Sequence, residues 1–81
     1  MLSSIKMTLL LQHLDNMEDF QQRVVTEKEE LDIKIKALQN FIEKGGEIWQ
    51  TLEYYEQEDL KSQLKHMQVY SHILQKRINR F

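Results

Sequence analysis

The chain has 81 residues, with no cysteine and no proline, and carries a formal net charge of −2. This length allows a single small domain, and the lack of cysteine excludes disulfide bonds and cysteine-containing zinc sites. Hydrophobic residues make up 41% of the chain, which is too many for a disordered tail. No apolar run approaches the roughly 20 residues that a membrane span requires. Because so small a core contributes little net stability, we expect copies of the chain to associate.

The first predicted helix runs from about Ser4 to Leu14, within a leading segment over residues 1–16. Its side chains are apolar on most sides, so we expect it to pack against the rest of the chain or against a second subunit. Asp15 and Asn16 then interrupt the pattern, and either is a suitable N-cap for the next helix.

A long amphipathic helix is predicted over residues 17–44. Its stripe repeats about every 3.67 residues and consists of Phe20, Val24, Glu27, Leu31, Ile35, Leu38 and Ile42. Gly45 and Gly46 end this helix and open a connector over residues 45–55. The large connector side chains predict one short turn of helix that covers the end of a hairpin; they are Trp49, Leu52, Tyr54 and Tyr55.

The last predicted helix, residues 56–81, carries a heptad seam. The seam consists of Leu60, Leu64, Met67, Ser71, Leu74, Ile78 and Phe81. Two striped helices of similar length joined by a short link predict an all-α fold, an antiparallel helical hairpin behind a short leading helix. Apolar residues off the two stripes predict a second contact surface and hence a homo-oligomer; they are Val25, Ile33, Phe41, Val69, Tyr70 and Ile73.

Charge is distributed unevenly, because residues 1–60 contain all 13 acidic residues and residues 61–81 contain five basic residues and no acid. This pattern favours a basic helix end that complements its dipole, with an anion site as the alternative. No nucleophile–base pair, phosphate-binding loop or metal-ligand spacing is present, so we expect no catalytic residue, no metal and no cofactor. DNA binding is not expected, because the basic patch is short. The lack of a secretory signal pattern favours a cytoplasmic location.

Three pieces of the sequence resemble a known family and together cover residues 17–81. They are Phe20-x-x-Arg23 followed by Glu27-Lys28-x-Glu30-Leu31-x-x-Lys34-Ile35-x-x-Leu38-x-x-Phe41-Ile42, then Trp49-x-x-Leu52, then Leu60-x-x-Gln63-Leu64-x-x-Met67-x-x-Tyr70-x-x-x-Leu74-x-x-Arg77-Ile78. The pattern resembles the helical-hairpin domain of phage proteins that defeat CBASS immunity, a domain also found in some anti-Thoeris proteins. The Gln-x-x-x-Met-x-x-Tyr and Leu-x-x-Arg-Ile elements are more specific than helical periodicity alone.

The resemblance implies a sponge, a non-enzymatic homo-hexamer in the infected bacterial cytoplasm that binds cyclic oligonucleotide signals without cleaving them. In this family cyclic dinucleotides lie between protomers and cyclic trinucleotides can occupy a separate pocket near a three-fold axis. Some relatives bind cyclic ADP-ribose isomers. Periodicity alone supports a different hypothesis, a coiled-coil-like structural protein whose seams bind a protein partner.

The resemblance also implies four ligand-binding residues. Phe20 matches an aromatic that stacks on a base, although a member of the family has a tyrosine there, whose hydroxyl hydrogen bond Phe20 cannot make. Lys34 matches the phosphate-binding lysine, with Lys36 as the alternative, and Arg77 matches an arginine of the trinucleotide pocket. Phe20 and Lys34 are separated by about 21 Å along one helix, so a joint site requires neighbouring subunits.

Overall fold

The structure, a computed structural model, describes residues 18–81. Three helices fill this range, α1 (Asp19–Lys44), α2 (Gly46–Thr51) and α3 (Tyr54–Ile78). The helices α1 and α3 pack along each other, with the start of α1 beside the end of α3, and this arrangement confirms the predicted all-α hairpin. The predicted leading helix lies outside the described residues. None of the helices described is long and apolar enough to cross a membrane.

The ends of the long helices differ from the predicted ones. Glu18 is the N-cap of α1, so the expectation that Asp15 or Asn16 caps this helix is wrong. The Glu18 backbone N–H donates to the Gln21 side-chain oxygen at 3.0 Å, and the reciprocal bond completes a capping box that closes the first turn. The helix α3 begins at Tyr54, two residues earlier than predicted.

Two glycines form the turn between α1 and α2. Gly46 has a φ of +55°, a left-handed backbone conformation that favours glycine. A Cβ atom on Gly45 would lie 2.3 Å from the carbonyl oxygen of Phe41, so this position requires the absence of a side chain.

The connector covers the hairpin end with fewer side chains than predicted. The Trp49 ring meets the Phe41 ring edge to face, with centroids 5.7 Å apart, and fixes α2 against the end of α1. Tyr54 and Tyr55 instead lie in the first turn of α3 and are exposed. Their predicted covering role is therefore wrong, because α3 begins at Tyr54 and both residues are exposed.

The seam of α1 also differs from the predicted stripe. One series of its less exposed residues alternates steps of three and four and consists of Gln21, Val24, Lys28, Leu31, Ile35, Leu38 and Ile42. Lys28 therefore takes the place predicted for Glu27, and Gln21 takes the place predicted for Phe20. The physical reason is the heptad repeat of α3, since two helices stay in contact over their length only if both seams repeat every 3.5 residues.

The core of the hairpin over residues 18–81 is thin. Among residues 18–81, Val24 and Leu74 are the only buried apolar side chains, with exposed fractions of 6% and 0%. Ile33, Val69 and Ile73 are exposed, as their positions off the seams predict. A single hairpin therefore leaves much of its apolar surface in water.

A polar link joins the two helices at the middle of this seam. The Lys28 ammonium donates to Ser71 Oγ at 2.9 Å and to Asp32 Oδ2 at 2.8 Å. The Ser71 hydroxyl donates to Asp32 Oδ1 at 2.5 Å. Ser71 is buried, and this network satisfies its hydroxyl inside an otherwise apolar seam. Asp32 pairs with Lys28 here, rather than with Lys36 as its spacing also allows.

The hydrogen bonds from Lys28 and Ser71 hold the pKa of Asp32 below its ordinary value of 3.8. A carboxylate with a lowered pKa in the folded state stabilises the protein above its unfolded pKa, and this contribution disappears as pH falls through the folded pKa. The stability that Asp32 contributes is therefore present at neutral pH and absent in strong acid.

We predict that Asp32→Asn lowers the melting temperature by a few degrees at pH 7, which corresponds to about 1 kcal/mol or less because the carboxylate is half exposed. The difference from the parent protein should narrow as pH is lowered from 6 to 3. Melting curves by circular dichroism at each pH measure this difference. A difference in melting temperature that stays constant from pH 6 to pH 3 would show that the Asp32 charge does not stabilise the link between Lys28, Asp32 and Ser71.

Candidate functional site

A hydrogen bond between Tyr70 and Glu27 defines one side of the hairpin. The Tyr70 hydroxyl donates to Glu27 Oε2, and both residues lie beside the seam and are exposed. This bond connects α3 to α1 beside the seam rather than within it, because the Glu27 side chain leaves α1 about 100° away from that of Lys28. The two helices therefore form one continuous surface around this pair.

Helical spacing extends the surface along both helices. Residues three, four or seven positions apart share one face of a helix. Counting from Glu27 and Tyr70 gives an exposed surface that we call the Tyr70 flank; it consists of Phe20, Arg23, Glu27, Glu30 and Lys34 from α1 and Gln63, His66, Tyr70, Ile73 and Arg77 from α3. Three of the four predicted ligand residues thus share this flank.

Phe20 lies at the end of the hairpin where α1 begins and α3 ends. Its ring meets the Phe81 ring edge to face with centroids 6.1 Å apart, and half of the residue stays exposed. Phe20 is therefore an aromatic group on the surface, whereas the stripe pattern predicts it in the seam.

Lys34 and Lys36 point to different sides of α1. Lys34 follows Glu27 by two turns and shares the Tyr70 flank, whereas Lys36 follows Glu27 by two and a half turns and leaves the helix on the opposite side. Both lysines are exposed, and neither makes an ion pair within the part of the chain that the structure describes. The structure thus separates two residues that the sequence left as alternatives.

Arg77 lies in the last turn of α3, two turns beyond Tyr70 on the same face. The hydrogen bond to Glu27 raises the pKa of Tyr70 above its ordinary value of 10.0, and the positive charge of Arg77 acts in the opposite direction. The tyrosine therefore stays protonated and keeps donating to Glu27 at neutral pH. Arg77, like Arg23, has no acidic partner among residues 18–81.

The Tyr70–Glu27 pair is the feature that the sequence analysis missed. The stripe periodicity predicts Glu27 in the α1 seam, where an alternation of three and four places Lys28 instead. A strict heptad count backwards from Leu31 and Ile35 would have moved Glu27 to the flank. Its partner on α3 depends on the register between helices, which no signal in a single sequence supplies.

Two open grooves lie beside this pair. One groove of about 400 Å³ runs along α1 and is lined by Asp19, Gln22, Arg23, Thr26, Glu27 and Glu30. A second groove of about 530 Å³ runs along α3 and is lined by Asp59, Ser62, Gln63, His66, Met67 and Tyr70. Within the described ranges no three His, Cys, Asp or Glu residues are placed to hold a metal ion.

Comparison with known proteins gives one finding. A family model described as Sequestin matches residues 18–80, which include α1, α2, α3 and all four predicted ligand residues. Comparison with curated proteins and with solved structures gives no significant match.

Proposed function

The chain belongs to the Sequestin family, and we propose that it sequesters cyclic oligonucleotide immune signals in the cytoplasm of an infected bacterium and so blocks CBASS-type defence. Family membership indicates a sequestering function and the binding of a small signalling molecule or partner. We propose cyclic di- and trinucleotides as these molecules, with cyclic ADP-ribose isomers as further ligands. The protein binds them intact, as a binding module and not as an enzyme.

The observation that carries the proposal is the set of cations on the Tyr70 flank. Arg23, Lys34 and Arg77 are exposed on this surface without an acidic partner among the described residues. Exposed aromatic rings at Phe20 and Tyr70 lie on the same flank. Cyclic oligonucleotides combine phosphodiester anions with planar bases, so cations interleaved with aromatic rings suit both parts of the ligand.

The site needs more than one copy of the chain. Phe20 and Lys34 are separated by about 21 Å along α1, so they reach one small ligand only from different protomers. Ile33, Val69 and Ile73 provide exposed apolar surface that a second copy would bury. We therefore place the dinucleotide site between protomers of a homo-oligomer, for which the family resemblance suggests a hexamer.

The same apolar surface also favours a second candidate function. Exposed isoleucines beside a regular heptad seam are typical of coiled-coil-like proteins that bind a helical protein partner. That function would need no unpaired cations on the flank and no affinity for nucleotides.

Calorimetry with a panel of cyclic di- and trinucleotides separates the two functions. We expect at least one ligand to bind at micromolar concentration, and mass spectrometry after heat denaturation to recover it unchanged. Light scattering should give a mass of several protomers. Absence of binding at tens of micromolar ligand would reject the sponge, and recovery of a cleaved ligand would indicate a nuclease.

We predict that Lys34→Ala weakens cyclic dinucleotide binding about tenfold or more, because a charged hydrogen bond to phosphate is lost. The melting temperature should change little, since the side chain is exposed. Lys36→Ala is the matched control and should bind like the parent protein. Equal affinities for both variants, measured by calorimetry, would contradict the assignment of Lys34.

We further predict that Arg77→Ala weakens cyclic trinucleotide binding about tenfold or more and leaves dinucleotide binding unchanged. Lys76→Ala removes the neighbouring charge, which leaves α3 about 100° away, and should have no such effect. A uniform loss for both ligand classes would mean that Arg77 does not belong to a separate trinucleotide pocket.

A further inference from the structure

We propose that Tyr70 and Glu27 form a base-recognition subsite beside Arg77, in which the tyrosine ring stacks on a base and the Glu27 carboxylate selects guanine. This inference rests on the proposed function and on the place of Arg77 in it, and it adds a base preference. Its ligand class is a cyclic trinucleotide that contains at least one guanine.

The Tyr70 ring has the properties of a stacking platform. It is 40% exposed and lines the groove along α3. Its hydroxyl is anchored on Glu27 across the hairpin, so the ring is already held in place before a ligand arrives. A platform that is fixed in advance loses little conformational entropy on binding. Stacking on an aromatic ring accepts any base, so the ring alone gives affinity without selectivity.

Selectivity requires a group that distinguishes base edges, and Glu27 is such a group. Its Oε2 accepts the Tyr70 hydrogen bond, while Oε1 has no hydrogen-bond partner among residues 18–81. An ionised carboxylate only accepts hydrogen bonds. Guanine presents two adjacent donors, the ring N1–H and the amino group at C2, whereas adenine presents an acceptor at N1 beside its amino group. The carboxylate therefore attracts guanine and repels the N1 lone pair of adenine.

Cations near the Tyr70–Glu27 pair offset the negative charge that the Glu27 carboxylate brings to a site for an anion. Arg23 precedes Glu27 by one turn and Arg77 follows Tyr70 by two turns. Because α1 and α3 are antiparallel, both arginines lie toward the same end of the hairpin, the end where Phe20 meets Phe81. The phosphates can thus lie on the arginines while a base extends toward Glu27, so the negative charges stay apart.

Two variants test the subsite with a cyclic trinucleotide that contains one guanine and two adenines and with its all-adenine counterpart. Calorimetry should show that the parent protein binds the guanine-containing ligand more tightly. Glu27→Gln, which keeps the shape and removes the charge, should weaken that ligand about tenfold and should strengthen binding of the all-adenine ligand, because the repulsion of adenine N1 is removed and the new amide group can donate to it. Tyr70→Ala should weaken both ligands about tenfold or more, because the ring is lost.

Glu30→Gln is the matched control, since it removes a carboxylate from the same stripe one turn away and should bind like the parent protein. Melting curves check that each variant folds. If Tyr70→Ala unfolds, Tyr70→Phe replaces it, because phenylalanine keeps the ring. The Tyr70→Phe variant should bind the all-adenine ligand like the parent protein and the guanine-containing ligand more weakly. Equal effects of Glu27→Gln on both ligands, or none, overturn the inference and leave the proposed function standing. No binding of either ligand, or of any cyclic dinucleotide, by the parent protein overturns both.

Discussion

The hairpin depends on the polar link between Lys28, Asp32 and Ser71 at the centre of its seam. Apolar seams tolerate sliding by a heptad, because one leucine or isoleucine replaces another. A slide of seven residues here would replace Ser71 by Leu64 or Ile78, so Lys28 and Asp32 would face an apolar side chain and lose their hydrogen bonds to Ser71. The link therefore fixes the register, and the register brings Tyr70 next to Glu27 beside the same seam.

The thin core connects the fold to its function. Among residues 18–81 the fold buries few apolar side chains, so this hairpin contributes little net stability on its own. Association of copies would cover the exposed isoleucines and valine and would create concave surfaces between convex helices. A protein built in this way obtains stability and binding pockets from the same contacts. Sequestration then needs no catalytic group, only a pocket that releases its ligand slowly.

Much of the fold is readable from the sequence, because helical periodicity and the two glycines locate both long helices and their turn. The errors arise where local chemistry competes with periodicity: the Glu18–Gln21 capping box takes over the N-cap, and the choice between Glu27 and Lys28 depends on a partner helix that the sequence does not show. The candidate site is harder to predict, because its position also depends on the partner helix. Single residues such as Lys34 and Arg77 follow from a family pattern, but the flank on which they lie follows from the register.

The net charge of the chain says little about anion binding, because charges separated by more than about 8 Å are screened at physiological ionic strength. What matters is whether a cation has an acidic neighbour. Lys28 has Asp32 and serves the seam, whereas Arg23, Lys34 and Arg77 have no such neighbour among the described residues and lie on one surface. The acids on that surface need not repel a nucleotide ligand, since the Glu27 carboxylate accepts a hydrogen bond from Tyr70 and, in the subsite that we propose, would face the base. An acidic chain can therefore present a site for an anion whose bases are rich in hydrogen-bond donors.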